Sequence, residues 1–148
     1  MPEAMTVSAE RVRRQITAVL LAWGMAQDLA ETTAEVMVET DLMGVDSHGI
    51  SMLMLYERMR TAGQLRLQAR PRVVRDAACT ALVDGGAGLG HPVAVMAMTL
   101  AVDKALAAGA SARWACSTRT TSARRATTRA WPRTAACWAW SPARPAPW

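Results

Sequence analysis

The sequence predicts an α/β architecture, in the form of an α+β fragment, and three features carry that reading. Between residues 8 and 63, three stretches with apolar residues at helical spacing each end at a glycine. Two short β-branched stretches, residues 72–75 and 80–83, follow Pro71. A glycine-rich loop then leads into a long apolar helix reaching about residue 108. Helices, then strands, then a buried helix make one helix-on-sheet layer, which further chain is expected to complete.

Ser8 is placed to cap the first helix, and Glu10 in its first turn favours the positive helix end. Val12, Ile16, Val19, Leu20 and Trp23 follow at helical spacing until Gly24 stops the run. The second helix is expected to start at Asp28, with Glu31 three residues on in a capping-box arrangement. Ala30, Ala34, Met37 and Val38 form its inner face, and Gly44 ends it. A third helix is expected over residues 49–62, stopped by Gly63. Residues 1–63 therefore read as an N-terminal helical subdomain.

Residues 64–109 read as the start of an α/β domain. The two strands come first, with Asp84-Gly85 as a turn, and Gly85, Gly86, Gly88 and Gly90 form a loop. Pro92 suits the first turn of the last helix. That helix is apolar on more than one side, through Val95, Met98, Val102 and Leu106 and through Ala94, Ala97 and Ala101, so it is expected to be well buried.

Residues 110–148 differ in kind. From residue 111 onward only Ser, Ala, Arg, Trp, Cys, Thr and Pro occur. These types share no chemistry, yet each is encoded with G or C at the second codon position. A GC-rich gene carries most of its G and C at the third position, so a one-base slip produces such a list. The tail is read as an out-of-frame translation without periodicity, expected to be disordered. Charge follows the same join. Seven of the 17 Lys and Arg lie in the tail and none of the 12 Asp and Glu does, so the net charge is −2 before it and +7 within it. The pI near 10.1 thus describes a join and not a basic protein.

Cys79, Cys116 and Cys137 have no Cys-x-x-Cys spacing and no nearby His, which indicates neither a metal site nor a disulfide framework. The N-terminus has no basic segment followed by a long apolar run, and the apolar stretch at residues 18–25 is too short to span a bilayer. A cytoplasmic protein is expected.

The glycine loop fails the tests for nucleotide binding. A dinucleotide fingerprint needs Gly at i, i+2 and i+5, and the third position falls on His91 or Val93. No Lys follows Gly90, which excludes a Walker loop. A tight strand-to-helix turn explains the glycines, with His91 as a helix-entry residue. The chemically interesting segment is residues 40–50, Thr-Asp-Leu-Met-Gly-Val-Asp-Ser-His-Gly-Ile. His48 lies there between small residues at an expected helix start, within reach of substrate and able to transfer protons near neutrality. Backbone donors at that helix start are expected to attract a carboxylate. His48, Met52 and Tyr56, four residues apart, are expected to share one helix face. A structural histidine is the alternative reading.

Glu39-Thr40-Asp41-Leu42-Met43-Gly44-Val45-Asp46-Ser47-His48-Gly49 resembles the signature of the malate/L-lactate dehydrogenase family, which lacks a Rossmann domain and includes ureidoglycolate, sulfolactate and 2,3-diketogulonate oxidoreductases. The resemblance continues through Tyr56-Glu57-Arg58, Ala62-Gly63, Ala69-Arg70-Pro71, Val83-Asp84-Gly85 and Gly88-Leu89-Gly90-His91, covering about residues 7–109.

It implies an oxidoreductase dependent on NAD or NADP, acting on 2-hydroxy or 2-keto acids, with a non-Rossmann α/β cofactor domain. His48 would be the proton donor to the substrate carbonyl, and Ser47 and Tyr56 would lie on the substrate side. Members usually carry an Arg one turn after the His, and Met52 stands at that position. A thioether cannot make the paired charge-assisted bonds of an Arg to a carboxylate. The family works as homodimers with the site near the interface. Its next block, Asn-Ser-Asn-His-Phe-Gly, holds a second active-site His. Read one base out of register, residues 113–125 are compatible with Val-Gly-Val-Leu-Asn-Ser-Asn-His-Phe-Gly-Ala-Ala-Gly. The frame is therefore expected to slip near residue 109 or 110, leaving the second His and the cofactor-binding residues out of this chain and the chain inactive. Two strands without a partner sheet are also expected to bury too little apolar area for a stable fragment.

Two other readings stand beside it. One is a small helical module whose basic Trp/Arg-rich arm binds nucleic acid, by stacking and phosphate contacts. The other is a truncated subunit that regulates a full-length partner by dimerising with it.

Overall fold

The computed structural model describes residues 6–108 and 113–116. The chain divides into two compact units, Met1–Gln68 and Ala69–Trp148.

The first unit holds α1 (Ala9–Ala22), α2 (Gln27–Leu42) and α3 (Leu53–Thr61), with a 3₁₀ turn at Ile50–Met52 leading into α3. Ser8 has the extended backbone of a cap but makes no side-chain cap bond. Its carbonyl instead accepts from the Arg11 and Val12 amides at 3.0 and 3.2 Å. Ala26 precedes α2 as its cap residue, so Asp28 lies inside the first turn and the expected capping box is not the start. Gln27 Nε2 donates to Glu31 Oε1 at 2.9 Å across that turn. The glycine stops take one form. Gly44 adopts φ +76°, and after α2 the Gly44 and Val45 amides donate to Asp41 and Thr40 at 2.9 and 3.1 Å. This pair of bonds satisfies carbonyls that the helix leaves over, and a left-handed residue after the last turn makes it reachable. Equivalent pairs close α1 and α3.

The α2 face read from the sequence is the core of this unit. Ala30, Ala34, Met37 and Val38 are buried, facing Ile16 and Leu20 of α1 with Leu65 and Leu67 also enclosed. Thr33 and Thr40 are buried on the same helix, and each hydroxyl donates to the carbonyl four residues back, at 2.8 and 2.7 Å. Those bonds let a hydroxyl enter an apolar core without the cost of an unsatisfied group. Trp23 is half-buried, with the Arg60 guanidinium 5.4 Å from its ring centroid.

The second unit contains β1 (Arg72–Asp76), β2 (Thr80–Asp84), α4 (Gly90–Ala108) and β3 (Arg113–Cys116). The sheet order is β1-β2-β3, antiparallel between β1 and β2 and parallel between β2 and β3. A parallel pair needs a crossover, and α4 is that crossover. The β1–β2 register shifts between Val73 and Arg75, so the ladder passes over Val74 as a bulge. The hairpin turns at residues 77–79, where the Ala77 amide donates to Thr80 at 2.9 Å. At Asp84-Gly85 the chain turns as expected, with the Gly88 amide donating to Gly85 O at 2.9 Å. This turn is the exit of β2, and Asp84 Oδ1 accepts from the Gly86 amide at 2.9 Å. Lys104 of α4 ties the hairpin down, donating to Ala77 O at 2.7 Å and pairing with Asp76 at 2.5 Å.

On β2, Ala81 and Val83 point inward, and Val83 packs with Val93, Ala97 and Ala101 of α4. The helix is buried as expected along Ala94, Ala97, Met98 and Ala101, and along Val93 as well, whereas Val95 and Val102 are half-buried and Leu106 is 75% exposed. β1 is exposed along its whole length.

Strand β3 corrects two expectations: the sheet has three strands, and residues 113–116 are not without structure. A parallel ladder is made by backbone groups, so the unusual composition of this segment does not prevent pairing with the open edge of β2. Residues 117–148, also expected to be disordered, lie outside the described residues.

His91, read as a helix-entry residue, is the second residue of α4 and is buried. Burial pushes its pKa down to about 4, because the charged form is poorly solvated there. Unfolded, the same group titrates near ~6.5. The folded unit therefore binds fewer protons, and the contribution of His91 is full above about pH 6.5 and is lost as pH falls towards 4. The second unit should weaken by about 3 kcal/mol over that window. Denaturant unfolding at stepped pH checks this, and His91→Leu should flatten the profile.

Candidate active site at the His48 turn

The turn that carries Ser47 and His48 follows from two local rules. Gly44 and the pair of bonds around it reverse the chain after α2. Residues 46–49 then make a tight turn, closed by the His48 amide donating to Val45 O at 2.9 Å. Two further bonds tie it to the segment that follows. Ser51 Oγ donates to Asp46 O at 2.5 Å, and the Ile50 amide donates to Asp41 Oδ2 at 2.9 Å.

Ser47 Oγ and His48 Nδ1 are 2.8 Å apart. Ser47 is exposed and the imidazole is half-buried. A hydroxyl can accept from Nδ1–H or donate to a bare Nδ1, so the contact holds in every protonation state of the ring. Nε2 is the nitrogen left to exchange a proton with a bound molecule. The structure thus brings Ser47 and His48 together. Leu42, Met43 and Val45 before the turn and Met54 after it are exposed, at 71, 53, 42 and 74%, which leaves the turn flanked by apolar side chains.

Two expectations for this segment change. His48 is not the first residue of a continuous α-helix, because the 3₁₀ turn at Ile50–Met52 intervenes. A 3₁₀ turn has fewer residues per turn than an α-helix, so the four-residue spacing from His48 to Met52 does not define one face, while Met52 and Tyr56 stay together on the buried side of α3. Met52 and Tyr56 are both buried, at 8 and 3% exposure. The second change concerns the helix start expected to attract a substrate carboxylate. Its Ile50 amide is already taken by Asp41.

Asp41 is the residue that sequence reasoning passed over. A signal was available: a carboxylate in the last turn of a helix stands at the negative end of the helix dipole. Its position there makes sense only if it serves something else, and it serves the start of the next helical segment. Arg60 is no substitute for the absent Arg, since its Nε and Nη2 bond Glu57 at 3.0 and 2.8 Å. That hydrogen bond holds the Glu57 carboxyl below the usual range.

The glycine loop was tested as a cradle for a dinucleotide. A Cβ on Gly88 would lie 3.1 Å from Gly85 O and 3.2 Å from Ala69 O, and one on Gly86 would lie 3.2 Å from the Ala69 Cβ. The glycines are thus used up by close approach of the chain at Ala69, and the Asp84 carboxylate already occupies the Gly86 amide. The loop does not fit a pyrophosphate. Among the described residues, no group of three or more His, Cys, Asp or Glu could hold a metal ion, and no helix is long and apolar enough to cross a membrane.

Comparison with known proteins agrees with the resemblance seen in the sequence. The family model described as malate/L-lactate dehydrogenase matches residues 7–143. The L-sulfolactate dehydrogenase of Methanocaldococcus jannaschii is 35% identical over 101 residues, covering 68% of this chain and 29% of that protein. The malate dehydrogenase of Pyrococcus horikoshii is 36% identical over 99 residues, covering 67% and 28%. The solved structures of these two superpose with TM-scores of 0.66 each, at 34 and 35% identity, over 69 and 71% of this chain and 30% of each of theirs. A malate dehydrogenase from Entamoeba histolytica gives 0.67 at 27% identity, over 71% of this chain and 29% of that one. The chain spans under a third of the length of these relatives. Nothing found supports the nucleic-acid reading, and most of the basic arm lies outside the described residues. In sequence across both units and in fold, the chain belongs to the malate/L-lactate dehydrogenase family of oxidoreductases.

Proposed function

We propose that this chain is the N-terminal part of a dehydrogenase of 2-hydroxy and 2-keto acids that uses NAD or NADP, with His48 as its acid–base group. The observation that carries the reading is the fixed Ser47–His48 pair within the family's signature segment. In the direction of reduction, His48 gives the proton on Nε2 to the carbonyl oxygen, and Nδ1–H stays bonded to Ser47 Oγ. In the reverse direction the bare Nε2 takes the proton from the hydroxyl. The hydride belongs to the nicotinamide cofactor, whose site the described residues do not supply. Ser47 orients the ring, and Tyr56, which the resemblance places on the substrate side, is buried in the described unit.

The exposed apolar residues beside the turn support a site closed by further chain or by the second subunit of a homodimer. A cytoplasmic location is part of the proposal. With Asp41 on the Ile50 amide and Met52 in place of Arg, the described unit has no evident grip for the substrate carboxylate. We further propose that the frame slips near residue 109 or 110. The seven-type composition and the compatible register over residues 113–125 support this. The family match to residue 143 and strand β3 are also what an intact frame would give. The functional reading is tested by correcting the frame and assaying the product for cofactor-dependent reduction of a panel of 2-keto acids. Turnover of at least one is expected, and a folded dimer with none would overturn it.

A further inference from the structure

Asp41 and Gly49 form a pair that the sequence separates by eight positions and the fold brings into contact. The Asp41 carboxylate lies over the Gly49 α-carbon, and a Cβ built there would overlap it. From that place Oδ2 accepts the Ile50 amide at 2.9 Å. A carboxylate accepting a backbone amide at the start of a helical segment makes a strong, charge-assisted bond. The turn between them, residues 45–49, is the one that carries Ser47 and His48. Asp41 is itself held rigidly, because it belongs to the last turn of α2, and its carbonyl takes the Gly44 amide at 2.9 Å.

We propose that Asp41 is the positioning residue of this site. Its carboxylate locks the turn that aims His48, and Gly49 is required because only a residue without a Cβ leaves room for that carboxylate. The proposal rests on His48 as proton donor, but the lock can be measured without any turnover.

The experiment is amide exchange and NMR on this full chain. The Ile50 amide should be protected from exchange, and an unprotected amide overturns the proposal before any substitution is made. Asp41→Ala should speed its exchange by about tenfold or more. Asp41→Asn, which keeps an acceptor oxygen, should restore most of the protection. Gly49→Ala should mimic Asp41→Ala. Combined with Asp41→Ala it should add nothing, since the two act through one contact. The Ser47 and His48 resonances should move in Asp41→Ala and Gly49→Ala and stay in place in Asp41→Asn, with the α1–α2 core unaltered. Additive effects, or a His48 ring indifferent to Asp41→Ala, would overturn the proposal. In the frame-corrected protein the two claims separate. An intact lock with activity surviving His48→Gln removes the role of His48, whereas an absent lock with activity lost in His48→Gln removes only the role of Asp41.

Discussion

In the frame-corrected enzyme, His48→Gln is expected to lower kcat by about 10²–10⁴-fold, the usual worth of a positioned acid–base group. Gln preserves much of the size and polarity of the ring and can still meet Ser47, but it cannot give up and regain a proton. The loss should therefore fall on kcat and on kcat/KM together, with KM changing little, as for an interaction made only in the transition state. The limb of the pH–rate profile that reports the imidazole should vanish as well. Steady-state kinetics across pH checks both. A variant that keeps kcat and loses only affinity would mean that His48 binds substrate without moving a proton.

The second large effect concerns the chain as it stands, which is expected to show no oxidation of 2-hydroxy acids with NAD or NADP. The second His of the family's next block and the chain that would supply the cofactor site are expected to lie in the other frame. The glycines of the loop serve the close approach of Ala69, and the Gly86 amide is taken by Asp84, so the described residues offer no cradle for a pyrophosphate. Following nicotinamide absorbance with purified chain checks this. Measurable turnover that His48→Gln abolishes would show that the described units are sufficient for catalysis.

What the sequence disclosed and what it hid divide along one physical line. Periodicity disclosed α2, because Ala30, Ala34, Met37 and Val38 repeat at helical spacing and all four are buried. Glycines after each run disclosed where the helices stop, since the bonds closing them need a left-handed residue. The start of α2 was misplaced by one residue because Asp28-x-x-Glu31 imitates a capping box, while Ala26 takes the cap with no side-chain bond. Exposure of Leu106 depends on what lies across from it, which local spacing does not encode. The same holds at the site. Ser47 and His48 were legible as candidates from the signature segment, whereas the bond between them emerges only in the structure. The bond from Ile50 to Asp41 spans nine residues and a chain reversal, and only the anomaly of an acid at a helix C-terminus hinted at it. Strand β3 was hidden for another reason: composition argued against structure, whereas the open edge of β2 requires only a backbone.

The most direct test of the central claim, that a family dehydrogenase continues beyond this chain in another frame, is to sequence the gene across codons 100–150 and onward and read all three frames. A one-base shift near codon 109 or 110 is expected to restore Asn-Ser-Asn-His-Phe-Gly and to open a long frame. A gene with no such continuing frame would contradict the claim, and the Trp/Arg-rich arm would then have to be tested as a nucleic-acid binder.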